Sequence, residues 1–331
     1  MRKLAAVVVL FVLAGGVEAA PSALHRSEAR AATTWPVKIF AVNTPDSQIA
    51  AALANPYVSG ISVRFGWRGI EPSRGSFRWG PIDQVINAAR AAGKKAMIRV
   101  MAGAFSPDWV TAHTRTLSFA SQYLASSGVA SNTMPVPWKR HYLRPWKRFV
   151  MRFGRRYDGN PTIYSIQMAG GGFFGEMALP TDVREWLRAG YRDRKLRRAW
   201  KRMDTWYRSA FRRTHLNLDI GEPFGSLRKT NVYHPVVRFA TRDGIRKAFI
   251  QQNGLRASLV GVIGPYRTTI RKESHETRVG YQMFGATSSA TELHRAFKVA
   301  LSDHVNYVEV YASDVLDGAN QAALRYLASG G

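Results

Sequence analysis

The chain lacks cysteine altogether, so no disulfide bond and no Cys-containing zinc site can form. Its eight histidines are scattered, and no H-E-x-x-H motif occurs. No G-x-S-x-G turn is present, and neither a G-x-G-x-x-G motif nor a P-loop follows any apolar segment. These absences argue against a serine hydrolase elbow, a dinucleotide site and a dedicated metal site. We therefore expect a protein without metal or cofactor, in which a large core replaces disulfides.

Acidic residues are also scarce. The 331 residues contain 22 Asp and Glu against 48 Lys and Arg, which gives a formal net charge of +26. Three explanations stay open: a general adaptation of composition, retention on an anionic cell envelope or acidic polysaccharide, and nucleic-acid binding. No nucleic-acid motif is present, and an export signal would argue against the third explanation.

Long apolar runs are missing except at the N-terminus. Arg2 and Lys3 precede an apolar stretch at 4–14, and small residues follow near 17–20. This pattern predicts a signal peptide over residues 1–20 and a linker over 21–35, although a retained membrane anchor is the alternative. Without a further apolar run, we expect a mature protein that does not span a membrane and is secreted or periplasmic.

Beyond the linker, apolar segments alternate with helical patterns. The predicted strands are Val37–Val42, Gly60–Phe65, Ala96–Met101, Ile163–Met168, His215–Ile220, Ser258–Ile263, Arg278–Met283 and Tyr307–Tyr311. The predicted helices are Ser47–Ala54, Pro81–Ala92, Pro145–Tyr157, Arg184–Arg213, Arg238–Gln252, Thr291–Ser302 and Asn320–Ala328. Near-continuous apolar strands in this order indicate a parallel α/β fold. Eight of them favour a (β/α)8 TIM barrel formed by one domain over residues 36–331.

Two regions interrupt the regular alternation. The longest insertion, 107–161, contains a Ser/Ala/Thr-rich part at 114–134 that we interpret as a surface loop over the barrel mouth. The helix predicted over 184–213 carries 12 Lys and Arg but only three Asp and Glu. We interpret it as an outer barrel helix with arginines in solvent, and an anionic docking face is the alternative.

The segment 60–110 carries the most specific motif. It has the spacing W-x-x-I-E-P-x-x-G-x-F-x-W-x-x-I-D after the second strand, formed by Trp67, Ile70, Glu71, Pro72, Gly75, Phe77, Trp79, Ile82 and Asp83. This run resembles the retaining glycoside hydrolases of the barrel clan A, which includes β-galactosidases and cellulases. The turn at 154–161, before the fourth strand, is also similar to those families. The resemblance implies a (β/α)8 barrel that hydrolyses a glycosidic bond of an oligo- or polysaccharide.

Such hydrolysis needs two carboxyl groups, one protonated and one ionised. Glu176 follows the fourth strand in a glycine-rich loop, 170–177, beside Phe173 and Phe174, whose apolar surroundings would raise a carboxyl pKa. In the similar families a Glu after strand four is the general acid/base. The residues and the resemblance thus both point to Glu176, with an exposed Glu on a mobile loop as the alternative.

The second carboxylate is less clear. The resemblance implies a nucleophile at the end of strand seven, where this chain has Gln282, a neutral amide. Glu273 and Glu276 lie before that strand, at its other end. Glu309, inside the apolar eighth strand, is the best remaining candidate as nucleophile or stabiliser, and a structural pairing with an interior arginine is equally open. Glu222 after strand five is a further option.

Several side chains near the strand ends are candidates for binding the sugar. Arg64 and Arg99 interrupt apolar strands and would contact a carboxylate or sugar hydroxyls, or form a buried ion pair. Trp67, Trp109 and Trp138 offer aromatic faces that stack on sugar rings. The predicted substrate-binding residues are Arg64, Trp67, Trp109, Trp138, Gln282 and Tyr311. Glu71 and Asp83 are interpreted as structural, Asp83 because it lies in the first turn of a helix.

These observations leave two main hypotheses. The first is a secreted glycoside hydrolase with Glu176 and Glu309 as its carboxyl pair. The second is an inactive glycan-binding or envelope-associated protein on a hydrolase-like barrel, since Gln282 occupies the expected nucleophile position. A binder of nucleic acid or another anionic polymer is a more distant third.

Overall fold

The computed structural model describes most of the chain after the N-terminal segment. The described ranges are 36–120, 133–171, 179–180, 183–224, 228–242, 246–258, 264–287 and 289–331. The predicted signal peptide and linker lie outside them. Residues Thr34–Gly331 form one compact unit. Within the described ranges, no helix combines the length and the apolar character needed to cross a bilayer.

Eight parallel strands close into a barrel. They are β1 (Lys38–Val42), β2 (Gly60–Gly66), β3 (Lys95–Met101), β4 (Ile163–Gln167), β5 (Leu216–Asp219), β6 (Phe249–Leu255), β7 (Val279–Met283) and β8 (Tyr307–Tyr311). Each strand is hydrogen-bonded to the next, and β1 closes the barrel against β8, where Phe40 is in register with Glu309. The barrel predicted from the alternation of segments is therefore confirmed.

Helices follow the strands along the chain. They are α1 (Ile49–Ala54), α2 (Trp67–Ile70), α3 (Gly80–Ala91), α4 (Asp108–Thr111), α5 (Arg140–Tyr157), α6 (Val183–Arg188), α7 (Asp193–Ala210), α8 (Tyr233–Arg242), α9 (Gly264–Glu273), α10 (Ala290–Ser302), α11 (Ala312–Leu316) and α12 (Gln321–Ser329). Those with a long apolar face, such as α5, bury it against the barrel and expose the other face.

The sixth strand was wrongly predicted. It spans Phe249–Leu255, part of which was assigned to a helix over Arg238–Gln252, and the strand predicted at Ser258–Ile263 falls mostly outside the described residues. The polar run at 251–253 broke the apolar pattern, although all three side chains are buried. The tertiary environment of the barrel interior, not intrinsic propensity, determines this strand.

The long helix predicted over Arg184–Arg213 is two helices, α6 and α7. They are separated at Gly190, whose backbone adopts φ +82°, a left-handed conformation that ends a helix and favours glycine. The insertion also has more order than a surface loop. Its strands Thr116–Ala120 and Thr133–Pro135 pair antiparallel, and Leu179–Pro180 adds a third strand, whereas residues 121–132 lie outside the described part.

Glu71 has a structural environment, as the sequence predicted. Its carboxylate is fully buried and accepts hydrogen bonds of 2.9 Å each from Trp67 Nε1, the Gly75 amide and Arg148 Nη2. Three donors of this kind compensate the loss of water around a buried carboxylate. The carboxylate thereby fixes the turn after β2 against α5.

Asp83 is likewise engaged in packing contacts. It accepts a 2.8 Å hydrogen bond from the Tyr157 hydroxyl and forms a 2.5 Å ion pair with Arg156. These contacts join the first turn of α3 to the end of α5. The structural interpretation of both acids in the motif therefore agrees with their contacts.

Candidate active site in the barrel interior

The lower part of the barrel interior is apolar and aromatic. Its side chains pack as a cluster formed by Phe40, Met97, Tyr164, Phe249 and Tyr307. The Phe40 and Tyr164 rings lie 4.9 Å apart between centroids. Gly280 leaves room for the Tyr307 ring, since a Cβ there would lie 2.3 Å from it. This layer closes the lower part of the barrel.

Above this layer the interior becomes polar. Buried polar residues on the barrel strands include Ser62, Arg99, Gln167, Asn217, Asp219, Gln251, Asn253, Gln282 and Glu309. Barrels of this type are usually filled with branched apolar side chains. Buried polar groups lower stability unless they are hydrogen-bonded, so such a concentration is typical of a functional site.

Glu309 lies in the middle of β8 with no exposed surface. Ser62 Oγ donates a 2.7 Å hydrogen bond to its Oε1, and Gln251 Nε2 donates a 3.0 Å bond to its Oε2. No described Arg or Lys lies within ion-pair distance of it. The sequence left open a pairing with an interior arginine, and none of the ion pairs between described residues involves Glu309. Neutral donors hold both oxygens instead.

Gln251 connects Glu309 to a second carboxylate. Its Nε2 also donates to Asn253 Oδ1 at 2.7 Å, and Asn253 Nδ2 donates to Asp219 Oδ2 at 2.6 Å. The other end of the Gln251 amide accepts bonds from Asn217 and from the Tyr307 hydroxyl. The donors and acceptors thus alternate along one continuous network.

Asp219, the last residue of β5, is the acid most affected by its surroundings. Burial, reinforced by the charge of Glu309, raises the pKa of Asp219 to about 7, although Arg99 and Arg64 act in the opposite direction. A carboxyl group with this pKa exchanges a proton near neutral pH. The interior therefore contains two acids, one of which is poised for proton transfer.

Arg64 and Gln282 lie together on the barrel wall. Arg64 is half-buried; its Nη2 donates to Gln282 Oε1, and its Nη1 donates to Asn43 Oδ1 at 2.8 Å. Gln282 is in register with both Asn253 and Glu309. Both residues predicted to contact a sugar are thus adjacent to the interior network. Arg99, which is in register with Arg64, is buried close enough to lower the pKa of Asp219.

The predicted aromatic residues do not form one platform. Trp67 is fully buried, 5.8 Å from Trp109 and 4.9 Å from Trp146 between centroids, so its ring has no face for a sugar. It begins α2 and packs into the core between barrel and helices. Trp109 is half-buried over Arg148, on the outer side of this cluster.

Trp138 and Tyr311 belong to different parts of the chain, before α5 and at the end of β8. Trp138 packs on Trp186 and Tyr191 beneath α6. Tyr311, half-buried at the end of β8, is the nearest of the predicted aromatic residues in sequence to Glu309.

The remaining acids fall into different positions. Glu176 lies outside the described residues. Glu222 is half-buried after β5; Thr230 donates to it at 2.9 Å, and burial raises its pKa. Glu276 forms an exposed 2.6 Å ion pair with Lys247, before β7. Among the described residues, no three His, Asp or Glu side chains are grouped to hold a metal ion.

Asp219, Gln251 and Asn253 were not predicted as site residues. A signal for them exists in the sequence: polar residues at alternate positions of a strand share one face, as at 217 and 219 or 251 and 253. The signal at 251 was lost because that strand was assigned to a helix. Recognising that its polar face points inward requires the closed barrel.

Comparison with known proteins agrees with this architecture. The model of glycoside hydrolase family 42, described as beta-galactosidase, matches residues 48–209, which is just under half of the chain. No curated protein sequence matches.

Solved structures share the fold at low sequence identity. The catalytic domain of a beta-amylase from Paenibacillus polymyxa has a TM-score of 0.58 at 9% identity, covering 86% of this chain and 94% of that one. Endo-glycoceramidase II from Rhodococcus sp., in a cellobiose-like imidazole complex, has a TM-score of 0.56 at 14% identity, covering 84% and 73%. Its lactosyl-enzyme intermediate has a TM-score of 0.55 at 13% identity, with the same coverage.

Proposed function

We propose that the chain is a glycoside hydrolase of the clan A type and that it cleaves an O-glycosidic bond with Glu176 as general acid/base; the (β/α)8 barrel and the partial match to a glycoside hydrolase family model support this. The observation that carries the proposal is the polar barrel interior, in which Glu309 and Asp219 are joined by hydrogen bonds through Gln251 and Asn253. Burying so many polar side chains lowers the stability of the barrel, and a barrel without a functional site would have no reason to bury them.

Glu309 is proposed as a stabiliser and not as a nucleophile. Both of its oxygens already accept hydrogen bonds and it has no exposed surface, so its attack on a sugar would first require Ser62 and Gln251 to move. A fixed negative charge below the sugar favours the positive charge that develops in an oxocarbenium-like transition state.

Glu176 is proposed as the proton donor because it follows β4 in the sequence, within the glycine-rich segment 170–177. In the sequence it is close to Phe173 and Phe174, and apolar neighbours of this kind would favour the protonated carboxyl group. The donor would then give its proton to the leaving oxygen while Arg64 and Gln282 orient hydroxyl groups of the sugar. Water enters as the second reactant, and the carboxylate left on Glu176 accepts its proton.

The test compares Glu176→Gln and Glu309→Gln with Glu292→Gln, an exposed acid on α10, as the matched control. Hydrolysis of neutral and acidic glycans is measured as release of reducing sugar. We expect Glu176→Gln to lower kcat by about 10²- to 10⁴-fold, and much less for aryl glycosides whose leaving group needs no proton. We expect Glu309→Gln to lower kcat with both types of substrate. An unchanged kcat for Glu176→Gln on every substrate would contradict the acid/base assignment.

One observation favours a second candidate, a glycan binder without turnover. Gln282 stands at the end of β7, where the resemblance implies a nucleophile, and its amide oxygen is held by Arg64. A binder would retain its affinity for a glycan in Glu176→Gln and would release no sugar in any variant.

We also propose that the protein is exported through its first 20 residues. The basic start, the apolar stretch and the small residues near 17–20 support this. Mass spectrometry of the protein from the culture medium should find a mature N-terminus near residue 20. An intact N-terminus on protein retained in the membrane fraction would indicate an anchor instead.

A further inference from the structure

Helix α5 exposes a row of basic residues with no acid among them. The helix Arg140–Tyr157 contains seven Lys and Arg and no Asp or Glu. Two of the seven, Arg148 and Arg156, pair with acids of the second-strand motif, Glu71 and Asp83. The remaining five form the surface that we call the basic stripe. It consists of Arg140, Arg144, Lys147, Arg152 and Arg155.

All five stripe residues are exposed, and no described carboxylate lies within ion-pair distance of any of them. They recur at helical spacing on the face opposite the buried Trp146, Phe149 and Phe153. A helix of this length extends about 27 Å. The stripe therefore presents unneutralised positive charge over a length that suits a polymer better than a single small anion.

Three cavities flank the stripe, and each has aromatic walls. The first, of about 450 Å³, lies between α4 and α5 and is lined by Trp109, His141 and Arg144 among others. The second, of about 270 Å³, lies between α5 and α7 and is lined by Trp138, Trp206 and Lys147.

The third cavity, of about 370 Å³, contains Phe77 and Trp79, whose rings stack 5.1 Å apart, next to Arg152 and Arg155. Aromatic surface and basic side chains therefore alternate along the whole helix. Trp206 itself lies under Lys147, whose Nζ is 5.9 Å from the ring centroid.

We propose that the basic stripe and its three cavities bind a chain of acidic sugars, at a site separate from the barrel interior. Carboxylates of the sugar units would pair with the exposed Arg and Lys, and the apolar faces of the rings would pack on the aromatic side chains. The site would hold the protein on an acidic polysaccharide. Part of the net positive charge of the chain would then serve this binding.

The geometry favours a glycan over duplex DNA. The concave, aromatic-lined cavities beside the helix suit separate rings of a flexible chain. The proposed glycosidase function, on which this last point rests, indicates the same kind of ligand.

The test measures binding of a fluorescently labelled polygalacturonate oligomer to the full-length protein by anisotropy at near-physiological salt. The methyl-esterified oligomer, which has the same rings without charge, serves as the ligand control. We expect Arg144→Glu combined with Lys147→Glu to weaken binding at least tenfold. The matched control combines Arg295→Glu with Lys298→Glu on α10, two exposed residues with the same change in charge, and should stay within twofold of the unmodified protein.

A second variant distinguishes a specific binding site from general electrostatic attraction between the basic protein and the acidic oligomer. Trp206→Ala keeps the net charge and should weaken binding at least threefold once an unchanged melting temperature has shown that it folds. Equal loss in the two charge-reversed variants, or no loss in Trp206→Ala, would overturn the proposal. Tighter binding of single-stranded DNA or of anionic phospholipid vesicles through the same residues would also overturn it. Because binding is measured without turnover, failure here is distinguishable from failure of the proposed catalytic roles.

Discussion

Asn253 Nδ2 lies 2.6 Å from Asp219 Oδ2, and this contact makes Asp219 part of the same buried network as Glu309. The network consists of side-chain hydrogen bonds: Asn253 and Asp219 lie on adjacent strands, Gln251 and Asn253 on the same strand, and Gln251 reaches Glu309 across the barrel interior. Two acids on β5 and β8 are thereby linked through β6. Changes at either acid should therefore affect stability and chemistry together.

Asp219 should make the stability of the protein depend on pH. Its pKa is raised from 3.8 to about 7, chiefly by burial, so the folded protein binds more protons than the unfolded chain between these values. The free energy of unfolding should then fall as pH rises from about 4 to 7, by up to about 4 kcal/mol, and change little from this source outside that window.

The variant Asp219→Asn removes this titration and still accepts the bond from Asn253. Urea unfolding at about pH 4 and about pH 8 should show a much smaller loss of stability in the variant than in the unmodified protein. Asp46→Asn, at an exposed position before α1, should behave as the unmodified protein does. An identical pH dependence in all three proteins would contradict the raised pKa.

Glu309 and Ser62 should be energetically coupled. Glu309→Ala leaves the Ser62 hydroxyl buried without its acceptor and opens a cavity, so it should cost about 3–5 kcal/mol. Ser62→Ala should cost about 1–2 kcal/mol. A double-mutant cycle by chemical denaturation should give a coupling of about 1–3 kcal/mol. Additive losses would mean that the 2.7 Å contact contributes nothing to folding.

The sequence predicted the barrel because its strands repeat an apolar pattern with room for a helix between them. It also indicated Glu309 and Gln282 as interior positions, since each is a polar residue in a strand whose other side chains are apolar. It could not indicate that Gln251 would connect Glu309, through Asn253, to Asp219. That contact depends on strands β6 and β8, which are 56 residues apart at Gln251 and Tyr307 and meet across the barrel interior.

The prediction for Trp67 shows a different limit. Its place at the end of β2 is correct, but a helix of four residues begins there and turns the ring into the core. Position along a strand predicts which end of the barrel a residue reaches. It does not predict whether the side chain faces the ligand or the surrounding helices.

Glu71 should contribute to stability and not to chemistry. Glu71→Ala removes the acceptor of three hydrogen bonds, from Trp67, Gly75 and Arg148, and should destabilise the protein by about 2–4 kcal/mol. Once corrected for the folded fraction, kcat on any substrate that the protein turns over should be unchanged. Arg148→Met should cost less, about 1–2 kcal/mol, because the side chain is 34% exposed and solvent screens the ion pair. A large loss of kcat in a fully folded Glu71→Ala would place this acid in the mechanism.

Gly154 should be essential for the packing of α5 on α7. A Cβ at this position would lie 2.3 Å from the carbonyl oxygen of Ala210, and backbone at that distance cannot yield without separating the two helices. Gly154→Ala should therefore destabilise the protein by about 2 kcal/mol or more, although alanine is the better helix former.

Gly80→Ala is the matched control, because nothing lies within 4 Å of its added Cβ in the first turn of α3. The midpoint of thermal unfolding should fall in Gly154→Ala and should rise or stay unchanged in Gly80→Ala. Normal stability of Gly154→Ala would mean that α5 does not pack on α7 as closely as the structure shows. The proposed polysaccharide site depends on this packing, because α5 carries the basic stripe.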